Sequence, residues 1–144
     1  MVTDFKSFTS KLILLRISLG IVYLWFGYLK FFPHLSPAEN LAQDTIDALF
    51  FKLIPREISI VILAIMESII GIFLILGRYI RFSVYLALFH LACTFTPLFL
   101  YPNLCFQKAF VFTILGQYIV KNIVLVAAML LFLPDKSRSS PELN

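Results

Sequence analysis

The chain has 144 residues and a formal net charge of +4, and 60% of its residues are hydrophobic; its mean hydropathy is +0.93. A water-soluble domain cannot hide that much apolar surface, so the composition excludes a soluble globular protein and indicates an integral membrane protein in one domain. The positive charge reads as basic loops on one side of a bilayer, not as a nucleic-acid surface, and two cysteines without a CxxC spacing exclude a thiol–disulfide relay.

A short amphipathic lead with Lys6 and Lys11 precedes the first predicted span, residues 12–32. That apolar run is expected to cross the membrane and not to be cleaved as a secretory signal, because no small-residue cleavage site follows it. Arg16, Gly20, Tyr23, Gly27 and Lys30 recur in it at steps of four, three, four and three, which places them on one helical face. A stripe of this kind faces other helices, and its glycines allow close approach. Residues 37–51 predict a second, amphipathic helix. Ser36 is its expected N-cap, Pro37 suits the first helical position, and Glu39 completes a capping box. This helix is too polar to cross and is expected to lie in the interface over one mouth of a bundle.

The second span is predicted over residues 55–76. Ile60, Ala64, Glu67, Gly71 and Leu74 share a face, with Glu67 near the midpoint. Gly77-Arg78-Tyr79-Ile80-Arg81 forms a basic turn. The third span, residues 82–100, carries Ser83, Ala87, His90, Thr94 and Pro97 on one face, and Pro97 should kink or end it. Tyr101-Pro102-Asn103 makes a turn, and the fourth span is predicted over residues 110–133, roughly 36 Å of helix. Lys121 falls near its centre, with Gln117 one turn before and Asn122 beside it. A lysine at the centre of a spanning helix costs on the order of 3 kcal/mol, so it should face the bundle interior. Residues 134–144 form a polar tail. The fold expected is therefore all-α and membrane-integral: a four-transmembrane-helix antiparallel bundle with an interfacial amphipathic helix between spans 1 and 2. Lys6, Lys11, Arg78, Arg81, Lys136 and Arg138 outweigh the diluted charge of Lys30, Lys52, Arg56 and Lys108, which places both termini in the cytoplasm.

Each span thus presents one polar stripe, and the stripes should meet. The expected ligand-binding set is Arg16, Glu67, His90 and Lys121, surrounded by Gln117, Asn122 and Tyr23. Glu67 is the one acid in the predicted interior and can neutralise Lys121 or Arg16 but not both. An unpaired buried cation loses its proton or recruits an anion. The alternative is that Glu67 bridges both cations and the cluster only fixes helix packing. His90 suits a proton relay, a hydrogen bond to a ligand, or simple satisfaction between helices. A bis-histidine haem is not expected, since the only other histidine, His34, belongs to the opposite face. No metal-ligand cluster, phosphate loop or dinucleotide fingerprint is present.

Three stretches resemble a known family. Leu15-Arg16-Ile17-Ser18-Leu19-Gly20 with Trp25-Phe26-Gly27-Tyr28-Leu29-Lys30-Phe31-Phe32-Pro33, then Glu67-Ser68-Ile69-Ile70-Gly71, then Gly116-Gln117-Tyr118-Ile119-Val120-Lys121-Asn122, are similar to motifs of DoxX-like membrane proteins and of related proteins linked to reactive-chlorine resistance. The resemblance implies a four-helix bundle in a bacterial inner membrane. It further implies a redox-associated or oxidative-stress role, since some DoxX-like proteins are membrane subunits of a thiosulfate:quinone oxidoreductase. The ligand expected on that basis is a quinone head group or a small oxyanion such as thiosulfate, with no covalent cofactor and with a redox partner in a separate chain or a second copy. Two other readings stay open: a small transporter or channel subunit, which would need to oligomerise, and a scaffold whose polar core only sets packing.

Overall fold

In the computed structural model, residues 2–36 and 39–134 are described. Helix α1 (Val2–Leu29) contains an apolar stretch from Ser7 to Leu29. It tightens at its end: the amides of Lys30, Phe31 and Phe32 bond the carbonyls of Gly27, Tyr28 and Leu29, three residues back, at 3.1–3.2 Å. The chain turns at His34, whose φ is +66°.

Helix α2 is described over Glu39–Leu49 and ends two residues before the expected boundary at Phe51. Pro37 and Ala38 lie outside the described residues. The Glu39 carboxylate does reach backwards, but to the backbone N–H of His34, 2.9 Å away, and so binds the turn itself. The helix buries Leu41 and Thr45. Arg56 holds its outer face through ion pairs to Asp44 and to Asp47, the latter at 2.8 Å, and Tyr101 Oη donates to the Asp44 carbonyl at 2.9 Å.

Helix α3 (Arg56–Leu76) buries Ile60, Ala64, Glu67, Gly71 and Leu74, the face its periodicity predicts. Gly77 ends it with φ +70°, a conformation glycine adopts without strain. Helix α4 (Ile80–Phe95) is followed by α5 (Pro97–Leu100), and the break falls at Thr96, before Pro97. Proline lacks the N–H that would continue the ladder. Ile80–Leu100 nevertheless forms one apolar stretch of 21 residues.

The fourth segment departs most from expectation. It does not begin as a helix at Phe110. Helix α6 (Pro102–Cys105) leads into a small antiparallel hairpin, β1 (Phe106–Lys108) with β2 (Val111–Phe112). Phe110 has φ +62° and forms its turn, and the Phe106 and Phe112 rings pack at 4.9 Å. Thr113 then caps helix α7 (Ile114–Val120) by accepting the Gly116 N–H at 3.1 Å. A break at Lys121 separates α7 from α8 (Asn122–Leu130). Three helices among the described residues are long and apolar enough to cross a membrane, Ser7–Leu29, Arg56–Leu76 and Ile80–Leu100; Ile114–Leu130 is a shorter apolar helix.

Helices α1 and α3 pack most closely. A Cβ on Gly20 would lie 2.9 Å from the Gly71 carbonyl, and one on Gly27 would lie 2.9 Å from the Ser68 amide. As α1 advances from Gly20 to Gly27, its contacts retreat along α3 from Ile75 to Ala64. One core joins α1, α3, α4 and α8 through Leu19, Tyr23, Ile70, Leu74, Val84, Ala87, Leu91 and Met129. Large apolar side chains on the outer faces, such as Trp25, Ile62, Phe89 and Val124, are exposed, as a lipid-facing surface requires.

Candidate functional site

Three of the apolar helices place one polar side chain each at a common point. Glu67, from the middle of α3, is buried. Its Oε2 accepts from Lys30 Nζ at 2.7 Å and its Oε1 lies 3.1 Å from His90 Nε2. The side chains of Lys30 and Glu67 are 9% and 5% exposed, so the pair is a buried one. Lys30 follows the last turn of α1, but helical side chains slant toward the N-terminus. Its ammonium therefore points back into the bundle, where it also approaches the Phe26 carbonyl at 3.4 Å.

The hydrogen-bond inventory around this centre is incomplete in an informative way. His90 Nδ1 is buried and has no partner among the described residues; in the neutral imidazole, with Nε2–H donating to Glu67, it is an acceptor. Tyr23 packs edge-on against His90, ring centroids 5.7 Å apart, and its buried hydroxyl also has no partner among the described residues. Leaving a buried polar group unsatisfied costs about 1–3 kcal/mol. The Tyr23 hydroxyl can donate or accept and the neutral-imidazole Nδ1 can accept, on two rings in contact.

The other expected members lie elsewhere. Lys121 is exposed, with Nζ 4.0 Å from the Tyr118 ring centroid. Helical geometry explains this. Gly116, Ile119 and Met129 form the buried face of α7 and α8, and Lys121 is rotated roughly 200° from Ile119. Gln117 is exposed as well. Asn122 is half-buried and donates weakly to Thr94 Oγ1 at 3.4 Å, not to Glu67. Arg16 packs its guanidinium against Gly77, at the far end of α3. The expected meeting of Arg16 and Lys121 with Glu67 therefore does not occur, and the surplus positive charge inferred from it disappears. Lys30 takes the place assigned to Lys121. It is visible on the α1 stripe with Tyr23, but counting it as a loop charge hides its inward reach.

The family model for DoxX matches residues 11–100. The chain belongs to the DoxX family. It is a multi-pass membrane protein of that family, and the matched region contains Tyr23, Lys30, Glu67 and His90. Comparison with curated proteins and with solved structures returned no match.

Proposed function

We propose that this DoxX protein is a redox-associated membrane component whose Tyr23–His90–Glu67 unit receives the head group of a membrane quinone. In this reading the chain crosses a bacterial inner membrane four times as an antiparallel bundle, with both termini cytoplasmic and α2 in the opposite interface. The observation that carries it is the pair of orphaned atoms on Tyr23 and His90. A quinone carbonyl accepts from the Tyr23 hydroxyl; a quinol hydroxyl donates to His90 Nδ1. The same two rings thus serve both redox states. Lys30 balances Glu67, which favours an uncharged head group over an oxyanion such as thiosulfate. Reduction of the quinone takes two electrons, supplied by a partner chain, and two protons, both drawn in the end from the aqueous phase. His90, anchored through Nε2 on Glu67, is placed to exchange one of them.

The test is equilibrium binding of a short-chain quinone to the purified protein, with Tyr23→Phe and His90→Asn alongside. Each variant should weaken binding about tenfold, the worth of one hydrogen bond in a buried site. Tyr23→Phe should leave the melting temperature unchanged or higher, because it removes an unsatisfied hydroxyl. Absence of binding, or equal affinity in all three proteins, refutes the reading. It would favour a second one, that the ionic contacts among Lys30, Glu67 and His90 serve only to lock α1, α3 and α4 together.

A further inference from the structure

The end of the bundle opposite α2 carries a different feature. Arg16 is half-buried between α1 and the end of α3. Its guanidinium occupies the space that a side chain at position 77 would fill, and the left-handed Gly77 leaves that space open. A guanidinium carries five donors and a permanent charge, yet among the described residues Arg16 has no ion pair and no hydrogen bond. Arg78 and Arg81 follow Gly77 directly and are exposed, and Lys11 is exposed on α1 about 7.5 Å nearer its start. The acids whose side chains are described lie elsewhere: Glu39, Asp44, Asp47 and Glu57 at the other end, and Glu67 in the middle, already paired. Tyr79 and Phe82 are exposed beside this turn and pack against Phe73 at 5.3 and 6.4 Å. Aromatic rings of this kind mark the depth of lipid head groups.

We propose that Arg16, Arg78 and Arg81 form a binding site for the phosphate of an anionic phospholipid, with Gly77 required to seat the Arg16 fork. The fork supplies paired N–H donors to phosphate oxygens, and the turn arginines add charge at the same depth. The C-terminal end of α3 favours a cation there, which holds Arg16 in place, and none of the described residues occupies its donors.

The experiment uses the full chain in nanodiscs of phosphatidylcholine alone or mixed with phosphatidylglycerol. It reads lipid retention by native mass spectrometry and the melting temperature in each lipid. Wild type should retain phosphatidylglycerol preferentially and melt higher in its presence. Arg16→Gln should lose roughly fivefold in that preference, Arg16→Lys should lose part of it, and Arg56→Gln, at the other end, should lose none. In phosphatidylcholine alone Arg16→Gln should melt like wild type. If Arg16→Gln does not fold, the double variant Arg78→Gln/Arg81→Gln in the exposed turn carries the same comparison. Equal phosphatidylglycerol preference in wild type and the variants overturns the proposal. So does inorganic phosphate stabilising the detergent-solubilised protein as much as the lipid does, which would identify a soluble-anion site instead.

Discussion

Replacing Lys30 with methionine tests the centre of the bundle directly. The substitution keeps most of the side-chain volume and removes the ammonium 2.7 Å from Glu67 Oε2. The carboxylate then stays buried with only His90 beside it. Breaking one side of a buried ion pair costs about 3–5 kcal/mol, and the remaining His90 contact argues for the lower end. At about 2–4 °C per kcal/mol for a chain of this size, Lys30→Met should lower Tm by roughly 10 °C. The double variant Lys30→Met/Glu67→Gln should recover most of that loss. The introduced amide leaves no charge behind, and its side-chain carbonyl still accepts the His90 Nε2–H. The two sites should therefore couple by at least about 1.5 kcal/mol in a double-mutant cycle. Lys121→Met, by contrast, removes only an exposed contact with Tyr118 and should cost no more than about 1 kcal/mol. Thermal unfolding in one detergent, followed by circular dichroism, measures wild type and these variants, with the single variant Glu67→Gln completing the cycle. If Lys121→Met is as damaging as Lys30→Met, or if the double variant shows no recovery, Glu67 is not partnered as described.

Gly71→Ala should also lower Tm, by an amount equivalent to about 1–3 kcal/mol, because its Cβ would lie 2.6 Å from the Leu24 amide and 2.7 Å from the Gly20 carbonyl, neither of which is a movable side chain; an unchanged Tm would mean that α1 and α3 are further apart. Met129 is fully buried in the core shared with α1, α3 and α4, so Met129→Ala should cost about 2–5 kcal/mol by the same assay, and a negligible loss would detach α8 from that core. Cys105 is fully buried with its Sγ 3.5 Å from the Pro97 carbonyl, and burial pushes its thiol above the usual range, so less thiolate is present at a given pH. In a Cys93→Ser background, maleimide labelling of folded protein at pH 7 should be at least about tenfold slower than of denatured protein and should quicken as pH rises; equal rates would show that the α6–hairpin junction is open.

Faces are legible in the sequence where periodicity is long and uninterrupted. The α3 stripe of Ile60, Ala64, Glu67, Gly71 and Leu74 is buried as read, and in α4 Ser83, Ala87 and His90 are buried as read. The fourth segment is not legible in the same way, because hydrophobicity alone does not distinguish a helix from a hairpin in Phe106–Phe112. The deciding features are local: a left-handed Phe110 and the Thr113 cap. Lys121 escapes a sequence reading for a related reason. Its depth in the apolar run points inward, but its angle relative to Gly116, Ile119 and Met129 points outward, and the angle decides. Lys30 looks like a boundary charge by its position at the end of a span, although a long side chain slanting toward the N-terminus acts about a turn away from its own Cα.

These placements change how the charges of the chain are to be read. A count of interior cations against one acid suggests an excess that a ligand must neutralise. The structure gives the acid to Lys30, a cation outside that count, and places the two counted ones apart from it: Lys121 over the Tyr118 ring and Arg16 beside Gly77. Lys30, Glu67, His90, Tyr23, Arg16 and Gly77 all fall within residues 11–100, the part of the chain that carries the family match, and Lys121 falls outside it. The polar centre therefore requires only α1, α3 and α4, while α8 adds Met129 to the apolar core beneath it. In the proposed readings, the Lys30–Glu67 pair beside Tyr23 and His90, whose hydroxyl and Nδ1 lack partners among the described residues, suits a neutral, hydrogen-bonding head group, and Arg16, unpaired among the described residues, suits a phosphate. The two sites are chemically distinct and lie at different depths, so the quinone reading and the lipid-phosphate reading stand or fall separately.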